Sequence, residues 1–234
     1  MPEIKAVAVI GAGTMGHGIA QVAAQAGYQT FLYDVTRELA EKGLRRISAN
    51  LAAGVEKGKL KPEEKDAALS RLNTVDSLGA PSGCDLVIEA IPEDLSLKRE
   101  MFGKLSEICS TAAILASNTS SLSLTEIAAS VSHPERVVGM HFFNPVHIMK
   151  LLEIVRAFQT SDATVTSVRE VGTRMGKQII EVRDFPGFAS SRLGIALGLE
   201  AIRMLEEGVA SAADIDRAME LGYGHPMGPL RLTD

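Results

Sequence analysis

The sequence predicts an α/β protein with a doubly wound, mostly parallel sheet. A strand of the fully buried type, a glycine-rich turn, a helix and a second strand follow one another within the first 34 residues, which is the pattern of a βαβ unit. Short apolar runs then alternate with helical segments as far as residue 184. Apolar runs of this kind are typical of strands that are covered on both faces.

The predicted elements follow in chain order. The first strand covers residues 6–10, the first helix covers 14–26 and ends at Gly27, and the second strand covers 30–33. A further helix is predicted at 95–108. The remaining strands are predicted at 86–91, 113–116, 137–140, 151–155 and 178–182.

Residues 35–75 interrupt this alternation. Two long charged segments, 38–58 and 62–72, predict a helical hairpin insertion where one crossover helix would suffice. The segment carries nine Lys/Arg against six Asp/Glu, a balance of +3 in a chain whose net charge is −5. The charge pattern alone is also typical of a solvated helical face with i,i+4 ion pairs.

Proline and glycine at 186–187 mark a boundary between two predicted domains. The first, residues 1–184, holds the sheet and the hairpin. The second, residues 185–234, contains an almost entirely apolar helix at 188–205 and a helix at 211–221 with Ser211 as its N-cap. We expect it to be the start of an all-α domain that is truncated at residue 234.

Composition narrows the function classes. A net charge of −5 over 234 residues, with 23% charged and 46% hydrophobic residues, argues against general nucleic-acid binding. Cys84 and Cys109 are too few for a disulfide framework, and no Cys/His spacing suits a metal. No apolar stretch is long enough to span a membrane and no secretory signal is visible, so we expect a cytoplasmic protein.

The turn after the first strand has the form G-x-G-x-x-G, with Gly11, Ala12, Gly13, Thr14, Met15 and Gly16. Because this turn follows a buried strand and opens a helix, it predicts a Rossmann-type dinucleotide site. Gly11 permits the tight turn, Gly13 lets the backbone approach a pyrophosphate, and Gly16 allows close helix–strand packing. The alternative is a glycine turn without a ligand.

Asp34 ends the second strand, 21 residues after Gly13. Its carboxylate is expected to accept hydrogen bonds from the adenosine ribose and to repel a 2′-phosphate, which favours NAD over NADP. Arg37, three residues later, is the group that could instead hold that phosphate, although an arginine at the start of a charged helix usually faces solvent.

Among the five histidines, His141 stands at the predicted end of strand 137–140, on the sheet edge where ligands bind. Twelve residues later, Glu153 interrupts the apolar run 151–155, where an unpaired carboxylate would be costly to bury. A pair between them gives a general base whose tautomer the carboxylate fixes. The alternative for Glu153 is an edge-strand position facing water.

Five strings in this order resemble the L-3-hydroxyacyl-CoA dehydrogenase family, which includes 3-hydroxybutyryl-CoA dehydrogenases. They are the glycine turn, Ser-Asn-Thr-Ser-Ser at 117–121, His-Phe-Phe-Asn-Pro at 141–145, Leu-Leu-Glu-Ile at 151–154 and Asp-Phe-Pro-Gly-Phe at 184–188. The resemblance covers essentially the whole chain. It implies NAD-dependent oxidation of an L-3-hydroxyacyl-CoA to the 3-ketoacyl-CoA, with His141 as general base and Glu153 as its partner.

The resemblance also implies further site residues. Ser120 would bind the substrate's 3-oxygen, Asn144 would lie near the nicotinamide, and Glu93 and Lys98 would line the dinucleotide. Lys57 matches a coenzyme A contact. Four of these residues also have a purely structural interpretation: Ser120 as a helix cap, Asn144 as a turn former, and Glu93 and Lys98 as surface charges.

The match departs from the family at Ser191, where relatives carry an asparagine of the substrate site. Family members also continue into helices that complete a dimerisation domain, so we expect a homodimer with an acyl-CoA substrate and NAD as cofactor. Two alternatives stay open: a related dehydrogenase of a free hydroxy acid, and a non-catalytic dinucleotide-binding protein.

Overall fold

A computed structural model describes residues 3–234; Met1 and Pro2, with which the first predicted domain begins, lie outside the described residues. Within that range the strands form one eight-stranded sheet in the order β3-β2-β1-β4-β5-β6-β7-β8. The strands are β1 (Ala6–Ile10), β2 (Gln29–Tyr33), β3 (Leu72–Val75), β4 (Leu86–Glu89), β5 (Ile114–Ser117), β6 (Val137–Phe142), β7 (Leu151–Arg156) and β8 (Gln178–Arg183).

The helices connect and cover these strands. They are α1 (Gly16–Gln25), α2 (Arg37–Glu56), α3 (Pro62–Leu69), α4 (Leu95–Ile108), α5 (Leu124–Ala128), α6 (Asp162–Arg174), α7 (Ser190–Glu206), α8 (Ala212–Gly222) and α9 (Pro229–Thr233). Several begin at a side-chain cap: Thr36, Asp94, Ser123, Ser161 and Ser211 each accept a hydrogen bond from a backbone N–H in the first turn. The prediction of Ser211 as an N-cap is confirmed.

Adjacent strands run parallel throughout the sheet except β6 and β7, which are antiparallel. The predicted α/β class with a doubly wound, mostly parallel sheet is therefore confirmed. β4 and β5 are buried along their whole length, as expected of strands covered on both faces.

The predicted helix at 62–72 is wrong at its end. The helix α3 stops at Leu69, and Leu72 begins the strand β3, which pairs with β2 at the edge of the sheet. Because β3 has four residues, of which one is buried, its apolar pattern is too short to separate it from the preceding helix. The helical hairpin consists of α2 and α3 alone.

The chain divides into two compact units, one ending at Asp184 and one covering Phe185–Asp234. The first unit contains the whole sheet, and its core packs α1 against the strands through residues such as Ile19, Val22 and Ala23. The second unit contains α7, α8 and α9, in which α7 packs mainly on α9. Several apolar side chains of α7 are exposed: Leu193, Ile195, Leu199, Ile202 and Leu205.

Candidate active site

The glycine turn lies between the end of β1 and the start of α1. Gly11 has a φ of +99°, and a Cβ at this position would lie 2.6 Å from the carbonyl oxygen of Ala90. A Cβ on Gly16 would lie 1.7 Å from the carbonyl oxygen of Gly11, so only glycine allows the helix to begin this close to the turn. A Cβ on Gly13 would meet nothing within 4 Å.

The open side of Gly13 is the feature that fits a dinucleotide. The helix α1 begins beside it without a side-chain cap at Met15, so the amides of its first turn can receive an anion. His17 supports the turn from the helix, with its Nδ1 2.6 Å from the carbonyl oxygen of Gly13. These residues therefore form an anion-binding site whose donors are backbone amides.

Asp34 closes the turn from the end of β2. Its Oδ2 accepts a hydrogen bond of 2.7 Å from the backbone N–H of Ala12, and its Oδ1 accepts one of 2.7 Å from Val35. Each carboxylate oxygen has a second lone pair with which to accept from a ribose hydroxyl. Arg37 forms an exposed ion pair of 2.9 Å with Glu41, the solvent-facing arrangement considered for it.

His141 and Glu153 face each other across the antiparallel pair β6–β7. The Nδ1 of His141 lies 2.7 Å from Oε2 of Glu153, and the two residues are 6% and 0% exposed. The strand β6 continues two residues beyond its predicted end, so His141 lies inside the strand. The edge-strand alternative for Glu153 is wrong, because β7 lies between β6 and β8.

Glu93 holds the turn that contains Ser120. Its Oε1 accepts hydrogen bonds from the hydroxyl of Thr119 at 2.6 Å, from the backbone N–H of Ser120 at 2.9 Å and from the hydroxyl of Ser120 at 3.3 Å. Burial alone would raise the pKa of Glu93, but the hydrogen bonds from the Thr119 hydroxyl and the Ser120 backbone N–H, with the nearby charge of Lys98, lower it below its ordinary value. Glu93 is therefore a carboxylate under neutral conditions. Ser120 is not the cap of α5, since Ser123 takes that place.

Lys98 is 1% exposed, which contradicts the surface-charge alternative for this residue. Its Nζ lies 2.6 Å from Oε1 of Glu89, 3.3 Å from Oε2 of Glu93 and 3.3 Å from the carbonyl oxygen of Ile91. Glu89 is fully buried at the end of β4 and also accepts from the hydroxyl of Ser117 at 2.7 Å. A single ammonium thus lies between two carboxylates.

A cavity of about 890 Å³ joins these parts. It extends from the glycine turn and Asp34 to His141, and its walls include ten of the residues predicted for the site: Gly11, Gly13, Thr14, Met15, Asp34, Glu93, Lys98, Ser120, His141 and Asn144. Ala12 and Gly16 shape the turn behind the wall, and Glu153 lies behind His141. An elongated cofactor and the reacting part of a substrate fit the residues around this cavity.

Two predicted substrate residues lie outside the cavity wall. Lys57 is exposed at the C-cap of α2, in the basic hairpin. Ser191 lies in the first turn of α7, in the second unit. Asn50, on α2 of the same hairpin, donates a hydrogen bond of 3.2 Å to the side chain of Gln21.

Glu89 and Asn118 are residues of the site that were not predicted from the sequence. Glu89 ends an apolar strand, and the signal that could have revealed it is the same one that revealed Glu153, a carboxylate inside an apolar run. Asn118 lines the cavity, and its Oδ1 accepts a hydrogen bond of 2.9 Å from the backbone N–H of Phe142. This bond ties the loop after β5 to the strand of His141.

Residues 3–234 contain no group of three or more His, Cys, Asp or Glu side chains placed to hold a metal ion. Nor does this part of the chain contain a helix with the length and apolar character needed to cross a membrane.

Comparison with known proteins gives a consistent assignment. The family model described as "3-hydroxyacyl-CoA dehydrogenase, NAD binding domain" matches residues 6–185, and the model of the C-terminal domain of the same family matches residues 187–234. The chain is 49% identical over 232 residues to a probable 3-hydroxybutyryl-CoA dehydrogenase of Bacillus subtilis, covering 99% of this chain and 81% of the relative.

Solved structures agree with the sequence relatives. The (S)-3-hydroxybutyryl-CoA dehydrogenase PaaH1 from Ralstonia eutropha superposes with a TM-score of 0.95 at 40% identity, covering 98% of this chain and 81% of that one. A 3-hydroxybutyryl-CoA dehydrogenase from Escherichia coli gives a TM-score of 0.96 at 44% identity, covering 99% of this chain and 49% of that one. The chain belongs to the 3-hydroxyacyl-CoA dehydrogenase family of NAD-dependent oxidoreductases.

Proposed function

We propose that the chain interconverts a short-chain L-3-hydroxyacyl-CoA, such as 3-hydroxybutyryl-CoA, and the 3-ketoacyl-CoA, with His141 as general base. The observation that carries this proposal is the buried pair of His141 and Glu153 at the wall of the dinucleotide-sized cavity. The names of the relatives support the four-carbon acyl group.

The pair is suited to take the proton of the substrate hydroxyl. When the Nδ1–H of His141 donates to Glu153, the ring's lone pair is on Nε2, the nitrogen that receives the proton. The carboxylate then stabilises the imidazolium that forms. Bound NAD⁺ supplies the acceptor for the hydrogen and electron pair that leave C3 of the substrate.

Other residues orient the reactants. Ser120 would hydrogen-bond the 3-oxygen, and Asn144, at the cavity wall, would lie against the nicotinamide. Asp34 would accept from the adenosine ribose, which favours NAD over NADP because a 2′-phosphate would meet its negative charge. Lys57 in the basic hairpin would contact the phosphates of coenzyme A, and Ser191 would contribute to the substrate site.

The first experiment follows NADH consumption with acetoacetyl-CoA beside free acetoacetate and beside NADPH. Turnover only with the thioester and NADH supports the proposal, whereas turnover of free acetoacetate favours a hydroxy acid dehydrogenase. His141→Gln should abolish turnover and leave NADH binding, followed by fluorescence, intact. Retained turnover in this variant would overturn the assignment of the base, and NADH binding by the unmodified chain without turnover of any 3-ketoacyl-CoA would favour a non-catalytic protein.

We also propose that the chain is a cytoplasmic homodimer. The exposed apolar side chains of α7 support the homodimer, among them Leu193 at 71% and Ile195 at 62% exposure. Light scattering at micromolar concentration should give twice the mass of the chain. A monodisperse monomer would contradict the dimer.

A further inference from the structure

The buried ion pair between Glu89 and Lys98 connects three elements of the first unit below the cavity wall. Glu89 ends β4, Lys98 lies in the first turn of α4, and Ser117 ends β5. The carboxylate of Glu89 accepts hydrogen bonds from Lys98, from Ser117 and from the backbone N–H of Ile91, at 2.6, 2.7 and 2.7 Å. Glu89 is thereby fixed from three directions.

The ammonium of Lys98 is saturated by its neighbours. It has three N–H donors, and three acceptors surround it: Glu89, Glu93 and the carbonyl oxygen of Ile91. Although Lys98 lies at the wall of the cavity, its charge is already balanced by two carboxylates. These contacts therefore indicate that Lys98 connects Glu89 to Glu93 and is not available as a cation to bind a phosphate.

Glu93 divides its two oxygens between this link and the substrate side. One oxygen faces Lys98, and the other accepts hydrogen bonds from the backbone N–H and the hydroxyl of Ser120. Since Glu93 is 39% exposed at its side chain, its orientation depends on these partners more than on packing. A Lys98 released by Glu89 would move toward Glu93 and draw that carboxylate away from Ser120.

We infer that Glu89 is a positioning residue of the dehydrogenase, which acts through Lys98 and Glu93 to orient Ser120 toward the substrate's 3-oxygen. The inference rests on the proposed role of Ser120. Glu89 has no place in the chemistry itself, because it lies fully buried behind Lys98 and outside the cavity wall.

A double-mutant cycle between Glu89→Gln and Ser120→Ala tests this connection through kcat/KM for acetoacetyl-CoA. In the unmodified chain, Glu89→Gln should lower kcat/KM by about tenfold, whereas in the Ser120→Ala background it should lower it by less than about twofold. The same loss in both backgrounds would overturn the inference. Ser120→Ala without any loss would instead refute the proposed role of Ser120, on which the inference depends.

Two further variants separate positioning from stability. Glu89→Gln together with Lys98→Met removes both buried charges, so the melting temperature of this double variant should lie within about 3 °C of that of the unmodified chain while kcat/KM stays low. Recovery of kcat/KM together with stability would mean that the pair only stabilises the fold. Glu181→Gln, which breaks the more exposed pairs with Arg169 at 2.7 Å and Arg156 at 3.2 Å, is the matched control and should change neither kcat/KM nor NADH binding.

Discussion

The substitution Glu153→Gln is the sharpest test of the proposed chemistry, because it preserves the shape of the side chain and removes its charge. Glu153 is fully buried, and its Oε2 lies 2.7 Å from Nδ1 of His141. A glutamine amide can donate to Nδ1, which leaves the proton on Nε2 and prevents His141 from accepting another. It also cannot stabilise the imidazolium by opposite charge.

The size of the effect follows from the burial of the pair. Removing one partner of a buried ion pair costs about 3–5 kcal/mol, and about 1.4 kcal/mol corresponds to a factor of ten in rate. Because both members of the pair carry opposite charges only after His141 has taken the proton, the loss falls on the chemical step. We therefore expect kcat to fall by about 10²–10⁴-fold, while the NADH dissociation constant stays within about threefold.

A second histidine–glutamate pair in the same unit is the matched control. His133 and Glu135 approach to 3.3 Å, but their side chains are 48% and 55% exposed. They lie in the segment before β6, whereas His141 lies near the end of that strand. Water screens this pair, so Glu135→Gln should leave kcat within about twofold.

Steady-state NADH consumption with acetoacetyl-CoA measures both variants, with NADH fluorescence and thermal melting as checks that the fold and the cofactor site are intact. If Glu153→Gln binds NADH normally and keeps kcat within tenfold of the unmodified chain, Glu153 is not the partner that makes His141 a base. The carboxylate would then be a structural group, and another residue would have to stabilise the imidazolium.

The glycine turn, a buried lysine and a buried thiol give three more predictions. Gly13→Ala should melt within about 2 °C of the unmodified chain and bind NADH at least about tenfold more weakly in a fluorescence titration. Gly16→Ala, whose Cβ would lie 1.7 Å from a backbone oxygen, should instead lower the melting temperature by about 5 °C or more. Equal effects of the two substitutions would contradict this account of the turn. Burial lowers the pKa of Lys177 from 10.5 to about 8, so the folded chain loses this proton at lower pH than the unfolded chain does. Unfolding by urea should therefore require about 1 kcal/mol more at pH 9 than at pH 7. Lys177→Met should lack this gain, and an equal gain in that variant would show that other groups are responsible. Burial also raises the pKa of the Cys84 thiol to about 12, so iodoacetamide at pH 8 should label Cys84 only after denaturation, and rapid labelling of the folded chain would be inconsistent with its burial.

The part of the site that could be predicted from sequence is local or is marked by an unusual residue. The glycine turn and Asp34 lie within one βαβ unit, so their spacing alone brings them together. Glu153 is recognisable because a carboxylate inside an apolar run needs a buried partner, and His141 is the histidine predicted at the correct edge of the sheet. In each case residues close together in the sequence form a pattern, a fixed spacing or a carboxylate in an apolar run, that has one physical explanation.

The rest of the site depends on contacts between distant elements. Glu89 meets Lys98 only because α4 returns along the end of β4, and it meets Ser117 only because β5 is its neighbour in the sheet. A pattern of apolar and polar residues does not encode such approaches. The edge strand β3 was missed for the opposite reason, since four residues of which one is buried carry too little pattern of their own.

The reversal of direction between β6 and β7 explains why a histidine and a glutamate twelve residues apart can form the buried pair. If β7 were parallel to β6, the chain would have to cross over the sheet and begin β7 beside the start of β6. The short connection 143–150 instead allows β7 to begin beside the end of β6. Residues directly opposite in an antiparallel pair lie close together, which is how His141 reaches Glu153. Lys177 holds this connection by donating to the carbonyl oxygens of Val146 and Met149. The register of the pair, and with it the position of the proposed base, therefore depends on a turn that neither residue belongs to.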